Sequence, residues 1–449
     1  VLGSRGLGDV YKRQVQESAV KPIEPVFLDY QKDMSQLKAK SDIPVLYKQN
    51  VANDLFQLIY VFDMGNNHDK ALGTAFDYLE YLGTSDMTPE ELKSEFYRLA
   101  CTFYVSPGNE RTYVVLSGLN ENMPAAVQLF EKLLADAQVN KEAYTNMTSD
   151  ILKARSDAKL NQGQNFSRLM SFAMYGPKSP ATNLLTEAEL TNMNPQELVD
   201  RIHNQNSYKH RILYYGPSSS KDLLATINQY HQVPAALKDI PAGNEYAYLE
   251  TPVTKVLVAP YDAKQIYMAQ ISNLDKKYDP AIEPIRALYD EYFGGGMNSI
   301  VFQEMRETRG LAYSAWASIM PPSYLKYPYV LRTQIATQND KMIDAVTTFN
   351  DIINNMPESE AAFKLAKDGL TNRLRTERII KGDIIWSYIN AQDLGQNVDP
   401  RIKLYNDIQN MSLKDIVDFQ KQWVKGRTYV YCILGDKKDL ELDKLKAVG

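Results

Sequence analysis

One stretch of this sequence is written twice, which predicts two copies of a single structural unit. Asn192-Met193-Asn194-Pro195-Gln196-Glu197-Leu198-Val199-Asp200 returns as Asn410-Met411-Ser412-Leu413-Lys414-Asp415-Ile416-Val417-Asp418, 218 residues on. Both copies carry helix-start chemistry. Asn194 and Ser412 can accept from free backbone N–H groups, with Glu197 and Asp415 three residues later as in a capping box. Pro195 sits where a missing N–H costs nothing. Each copy runs into an apolar strand that ends in glycine, at residues 211–216 and 429–435. A second pair of stretches agrees: residues 78–83 (YLEYLG) resemble residues 288–295 (LYDEYFGG), which places Gly83 and Gly295 212 residues apart.

The pattern between these landmarks also repeats. Alternating segments at 101–105 and 112–116 flank the turn Ser106-Pro107-Gly108-Asn109, and segments 312–317 and 327–334 flank Pro321-Pro322. Each reads as a hairpin. Helical periods follow at 125–134 and 341–354. The expected class is α+β: two homologous domains, each an antiparallel sheet with helices packed on one face. The expected divisions are a tail at 1–19, a first domain at 20–235, a linker at 236–252 rich in Pro, Gly and small residues, and a second domain at 253–449.

Composition narrows the function. Lys+Arg 50 against Asp+Glu 55 gives a net charge of -5, which argues against a nucleic-acid partner. There is no apolar run long enough to span a membrane. Two cysteines, Cys101 and Cys432, exclude a disulfide scaffold and a cysteine-built zinc site. The histidines are only four: His68, His203, His210 and His231. His68 reads as a polar-turn residue. His203 and His210 lack a carboxylate at metal spacing, and His231 stands alone. Asp86, Glu90 and Glu91 read as the acidic start of a helix capped near Thr88. There is no Ser/His/Asp or Cys/His set with a local motif.

Residues 293–299 (FGGGMNS) and 302–314 (FQEMRETRGLAYS) resemble the C-terminal signature of the insulinase/pitrilysin zinc metallopeptidases. The likeness runs from about residue 20 to the end, and the duplicated unit fits the family's clam-shell of repeated domains. It implies roles for two residues. Arg306 and Tyr313 lie seven apart, with Gly310 as a natural left-handed stop between them. In the family the matching arginine and tyrosine face a zinc across the cleft, where they hold peptide and stabilise its oxyanion. The loop Gly294-Gly295-Gly296 carries no phosphate-binding fingerprint. It is expected to open a helix over 299–309 and to let backbone approach a peptide.

The resemblance also shows what the chain lacks. The family binds zinc through His-x-x-Glu-His on one helix face, with the glutamate activating water, and Gly-Thr follows at a fixed spacing. Gly83-Thr84 marks that place here. Counting back, the motif positions hold Thr74, Asp77 and Tyr78, a poor zinc set.

The chain therefore resembles the zinc-free, substrate-enclosing half of a large bacterial member. It is expected to hold no cofactor itself, to be inactive alone, and to supply Arg306 and Tyr313 to zinc on an N-terminal half, in the same polypeptide or a separate subunit. Its other partner would be peptide substrate. The non-methionine start, and residues 1–14 that read as translated vector sequence, fit a coding sequence cut upstream. The resemblance suggests a periplasmic setting. The alternatives are a zinc-free scaffold subunit of a complex and a free-standing peptide-binding module.

Overall fold

The computed structural model describes residues 23–436, 438–441 and 443–445. The tail expected at 1–19 lies outside them.

The first sheet contains β1 (Ser35–Lys38), β2 (Pro44–Gln49), β3 (Leu55–Phe62), β4 (Cys101–Pro107), β5 (Thr112–Leu119) and β6 (Arg211–Gly216), in the order β1-β2-β6-β3-β5-β4. The second contains β7 (Lys255–Pro260), β8 (Gln265–Lys277), β9 (Ser314–Met320), β10 (Pro328–Gln338) and β11 (Val430–Gly435), in the order β7-β11-β8-β10-β9. Apart from β1 the two orders are the same, as a duplication requires. No helix or strand falls within 236–252.

The helices of eight residues or more are α1 (Leu72–Leu79), α2 (Pro89–Arg98), α3 (Met123–Asp136), α4 (Lys141–Ala158), α5 (Gln162–Tyr175), α6 (Gln196–Asn204), α7 (Ser220–Tyr230), α8 (Glu283–Phe293), α9 (Met342–Asn354), α10 (Glu360–Thr376), α11 (Asp383–Asp393), α12 (Pro400–Ile408) and α13 (Leu413–Trp423). Local chemistry starts several of them as read from sequence. Ser412 and Asp415 form a full capping box on α13, and Thr88 and Glu91 do so on α2. At α6 the match is looser: Asn194 Oδ1 accepts from Gln196 N–H at 3.1 Å and no side chain caps Pro195.

The hairpins are antiparallel, with Tyr104 opposite Val115 and Ile335 opposite Ala315. One pair in each sheet departs from the antiparallel expectation. β2 runs parallel to β6, with Val45 beside Ile212, and β7 runs parallel to β11, with Leu257 beside Cys432. In each unit the last strand returns through a helical segment to lie beside an early strand, β2 or β7, in the same direction.

Helices on one face are also not the whole of it. Phe56, Leu58, Tyr60 and Phe62 face a core with α1 and α3. Ile59 and Val61 on the opposite face are buried with Val115 and Leu213 against Ile384, Ile385 and Ile389 of α11. The second sheet is covered likewise by Phe166, Met170 and Ala173 of α5, packed on Ala269, Ile271, Val430 and Cys432. So each unit lends a helix to the bare face of the other unit's sheet. The near-continuous apolar runs of β3 and β8 are the sequence mark of strands buried on both faces.

A polar clamp joins the units beside this exchange. Arg111, in the turn before β5, donates two parallel hydrogen bonds to Asp393 at the end of α11, each 2.6 Å, and a third to Asp63 at 2.5 Å. The Tyr324 ring lies under its guanidinium, 5.3 Å away. Glu110 next to it accepts from Lys326 and from the Tyr327 hydroxyl.

Candidate functional site

The residues at the family's metal positions do not form a metal site. Tyr78 is fully buried in α1. Its hydroxyl donates to Asn140 O at 2.6 Å and accepts from Asn140 N–H at 2.8 Å, so it fastens α1 to the start of α4. Asp77 is exposed on the other side of the helix and Thr74 is half-buried. One hydroxyl committed to backbone, one outward carboxylate and one threonine do not fit zinc, which favours nitrogen and sulfur. Among the described residues no group of three or more His, Cys, Asp or Glu could hold a metal ion.

The spacing of Gly83 and Gly295 carries Thr74, Asp77 and Tyr78 onto Arg286, Tyr289 and Asp290 of α8. The sequence reading did not look there. Arg286 Nη1 donates to Asp290 Oδ2 at 2.8 Å, and Arg286 also contacts Glu283 at 2.9 Å. This pair caps the outer edge of β9. Ile319 N–H donates to Asp290 Oδ1 at 2.9 Å, and Ile319 O accepts from Arg286 Nη1 at 3.1 Å. Ser318 Oγ donates to Asp290 as well. Burial pushes the Asp290 carboxyl up to about 6, against the pull of Arg286, Ile319 N–H and Ser318. In the second unit, then, an ion pair stands at the positions that the repeat aligns with Thr74 and Tyr78, and it satisfies an edge strand.

Gly294, at the end of α8, belongs to the same closure. It is buried, and a Cβ there would lie 2.1 Å from Ala317 O, so only glycine fits between α8 and β9. Gly295 is exposed but would meet Asp290 O at 2.7 Å. Gly296 is exposed with open space around it.

The chain after these glycines departs from the plain helix expected at 299–309. One α turn (Ile300–Phe302), capped by Ser299, widens into a π turn (Gln303–Thr308). Such turns are rare and recur at functional sites. Gly310 follows with φ +60, the left-handed stop expected from sequence. Arg306 sits on the π turn with its side chain half-exposed, its guanidinium 5.1 Å from the Phe302 ring and 3.8 Å from Glu307. Tyr313 enters β9. Its N–H donates to Ala336 O at 2.9 Å, while its side chain is 57% exposed and makes no hydrogen bond to a described residue. A cavity of about 190 Å³ opens beside it, lined by Gly310, Leu311, Ala312, Tyr313, Gln338 and Lys341. Lys341 reaches across to Gly310 O at 3.1 Å.

A family model described as "Peptidase M16 inactive domain" matches residues 212–370, the stretch that holds Gly294, Arg306 and Tyr313. Residues 212–370 are thus similar to a peptidase M16 inactive domain. The "Non-peptidase homolog YmxG" of Helicobacter pylori is 23% identical over 422 residues, covering 89% of this chain and 93% of its own length. The crystal structure of a peptidase M16 inactive domain from Pseudomonas fluorescens superposes with a TM-score of 0.69 at 15% identity, covering 90% of this chain and 98% of that one. The periplasmic protease PqqL from Escherichia coli superposes with a TM-score of 0.70 at 12% identity, covering 93% of this chain and 48% of its own. The chain thus spans about half the length of PqqL.

The four histidines remain. His68 Nδ1 accepts from Gly65 N–H, and His203 Nε2 contacts Ala137 O. His210 and His231, read as unrelated in sequence, meet at 2.8 Å between their Nε2 atoms. His231 Nδ1 lies 2.6 Å from Glu131 Oε1, and all three side chains are buried. Tyr208 O requires a proton on His210 Nδ1, so His210 Nε2 accepts from His231 Nε2–H and one proton lies between His231 Nδ1 and Glu131. Asn206 Nδ2 and Gln232 N–H donate to the other carboxylate oxygen. Every nitrogen is used, so the set fastens α3 to the chain entering β6 and leaving α7 and leaves no lone pair for a metal.

Proposed function

We propose that this chain is the substrate-enclosing, catalytically incomplete half of an M16-type zinc endopeptidase. It holds a peptide and presents Arg306 and Tyr313 to a zinc centre on a separate half or domain. The observation that carries this reading is the state of those two side chains. Arg306 is half-exposed, beside the Phe302 ring and with one long ionic contact to its neighbour Glu307, and the Tyr313 side chain is exposed with no hydrogen bond to a described residue. A side chain kept for stability would be buried or paired. A π turn and a left-handed glycine between the two set where each points, and an arginine with a phenol can both donate to a carbonyl oxygen. The half-length match to PqqL supports a second half that completes the enzyme.

The test is to incubate the chain with an unstructured fluorogenic peptide, alone and with an M16 half that bears His-x-x-Glu-His. The reading expects no cleavage by the chain alone and cleavage by the pair above that of the zinc half alone. Equal rates with and without the chain would overturn it.

A second reading is a zinc-free scaffold subunit. The Helicobacter relative of similar span, named a non-peptidase homolog, favours it. It expects a stable stoichiometric complex whose peptide turnover does not depend on Tyr313.

A further inference from the structure

The sheet face that α5 covers is only partly closed along β9 and β10. Phe166, Met170 and Ala173 of α5 pack on Ala269, Ile271 and Val330. On the same face Trp316, Arg332 and Gln334 are half-buried and Met320 is exposed. The register sets Arg332 between Ile271 and Ser318, Gln334 beside Trp316, and Val330 beside Met320.

Two observations meet on this face. The first is a cation without a counter-charge. Arg332 has no acid partner among the described residues. Its guanidinium is 5.2 Å from the Trp316 ring, and its Nη2 donates to Gln334 Oε1 at 3.0 Å. Nε is enclosed without a partner, whereas Nη1 is not enclosed and bonds to no described residue. Burial draws the guanidinium below its ordinary value, opposed by Cys432 and by no carboxylate. A charge held part-way out of water ordinarily has a partner. The second is a cavity of about 220 Å³ at the seam of the two units, lined by Met174 and Tyr175 of α5, by Tyr248 and Tyr327, and by Met320 and Val330 among others. Its one charged lining residue, Glu110, already accepts from Asn67, Lys326 and Tyr327. Val330 and Arg332 are two residues apart on one face, about 7 Å along the strand. The cavity shares no residue with the one beside Tyr313.

We propose that this face binds the C-terminal end of a peptide whose last side chain is apolar. The side chain fills the cavity, and the terminal carboxylate accepts from Arg332 Nη1, giving the guanidinium the anion it lacks. A cavity of about 150 Å³ already admits benzene, so this one admits a leucine or phenylalanine side chain. Neither Arg306 nor a zinc-bearing half takes part, so the site serves an enzyme half and a scaffold subunit alike.

Calorimetric titration of the intact chain tests this, with N-acetyl-Ala-Ala-Leu as probe and its C-terminal amide as control. Saturable one-to-one binding of the free acid is expected, with none of the amide. Arg332→Gln keeps a hydrogen-bonding side chain beside Gln334 and should weaken the free acid by at least about tenfold. Met320→Glu changes an exposed side chain at the cavity, leaves Arg332 in place, and should weaken binding as much by setting a like charge near the carboxylate. The proposal is overturned by no binding of the free acid at about 10 mM, well beyond millimolar affinity. Equal binding of the amide, or parent affinity in the two variants, overturns it too. Equally tight binding of N-acetyl-Ala-Glu-Leu-amide would overturn the assignment to a chain terminus, because a side-chain carboxylate would then serve as well.

Discussion

Arg286 and Asp290 pair at 2.8 Å on α8, at the positions that the repeat aligns with Thr74 and Tyr78 of α1. The two sets of positions have different structural uses: a phenol bonded to backbone in one unit, an edge-capping ion pair in the other. Asp290→Ala would leave Ile319 N–H and Ser318 Oγ without their acceptor and Arg286 without one of its two acid partners. Breaking a buried pair from one side costs about 3–5 kcal/mol. Urea unfolding should show a loss of that size, and a loss under about 1 kcal/mol, the scale of an exposed pair, would contradict the assignment.

The exchanged helices make the two units one cooperative block. Ile385 of α11 is buried on the first sheet, with Ile59, Val61 and Leu213 in the same cluster, although it belongs to the second unit's chain. Ile385→Ala should cost about 2–5 kcal/mol. Calorimetry should show a single transition for both units that moves as a whole in the variant. Two resolved transitions, with only one shifted, would argue against the interlock.

The His210 network gives the protein an acid limit. Burial and the facing His231 push the His210 imidazole down to about 3. A histidine whose folded value is depressed contributes stability that is fully present above its ordinary value near 6.5 and is lost as pH falls toward 3. The slope approaches about 1.4 kcal/mol per pH unit for one proton. His210→Gln keeps an acceptor for His231 Nε2–H and cannot titrate. Urea midpoints between pH 7 and 4 should fall less steeply in this variant than in the parent, and parallel curves would count against His210 as the titrating group.

The sequence was legible where a local rule decides structure. The capping residues Ser412 and Asp415, the hairpin turn at Pro107-Gly108 and the stop at Gly310 each specify their conformation within a few residues, and the structure has all three. The two units were legible because whole stretches recur. What escaped was set by distant contacts. The apolar runs of β3 and β8 say that both faces are buried, but not that Ile385 and Met170 do the burying. Glu131, His210 and His231 come from α3, the chain entering β6 and the chain leaving α7, so no spacing reveals them. The π turn at 303–308 has no residue signature beyond Gly310. The parallel pairing of β2 with β6 depends on a crossover of more than a hundred residues. At the candidate site, the motif pointed to Arg306 and Tyr313, while the closure of β9 by Arg286, Asp290 and Gly294 needed coordinates.

The most direct test of the central claim is peptide turnover by the chain joined to a zinc-bearing M16 half, measured as kcat/KM for the parent, Arg306→Ala and Tyr313→Phe. Both residues are exposed, so neither change should disturb the fold. If they donate to the peptide oxyanion, each variant should lose about 10²-fold, the scale of one such donor. Rates equal to the parent in both variants would contradict the account.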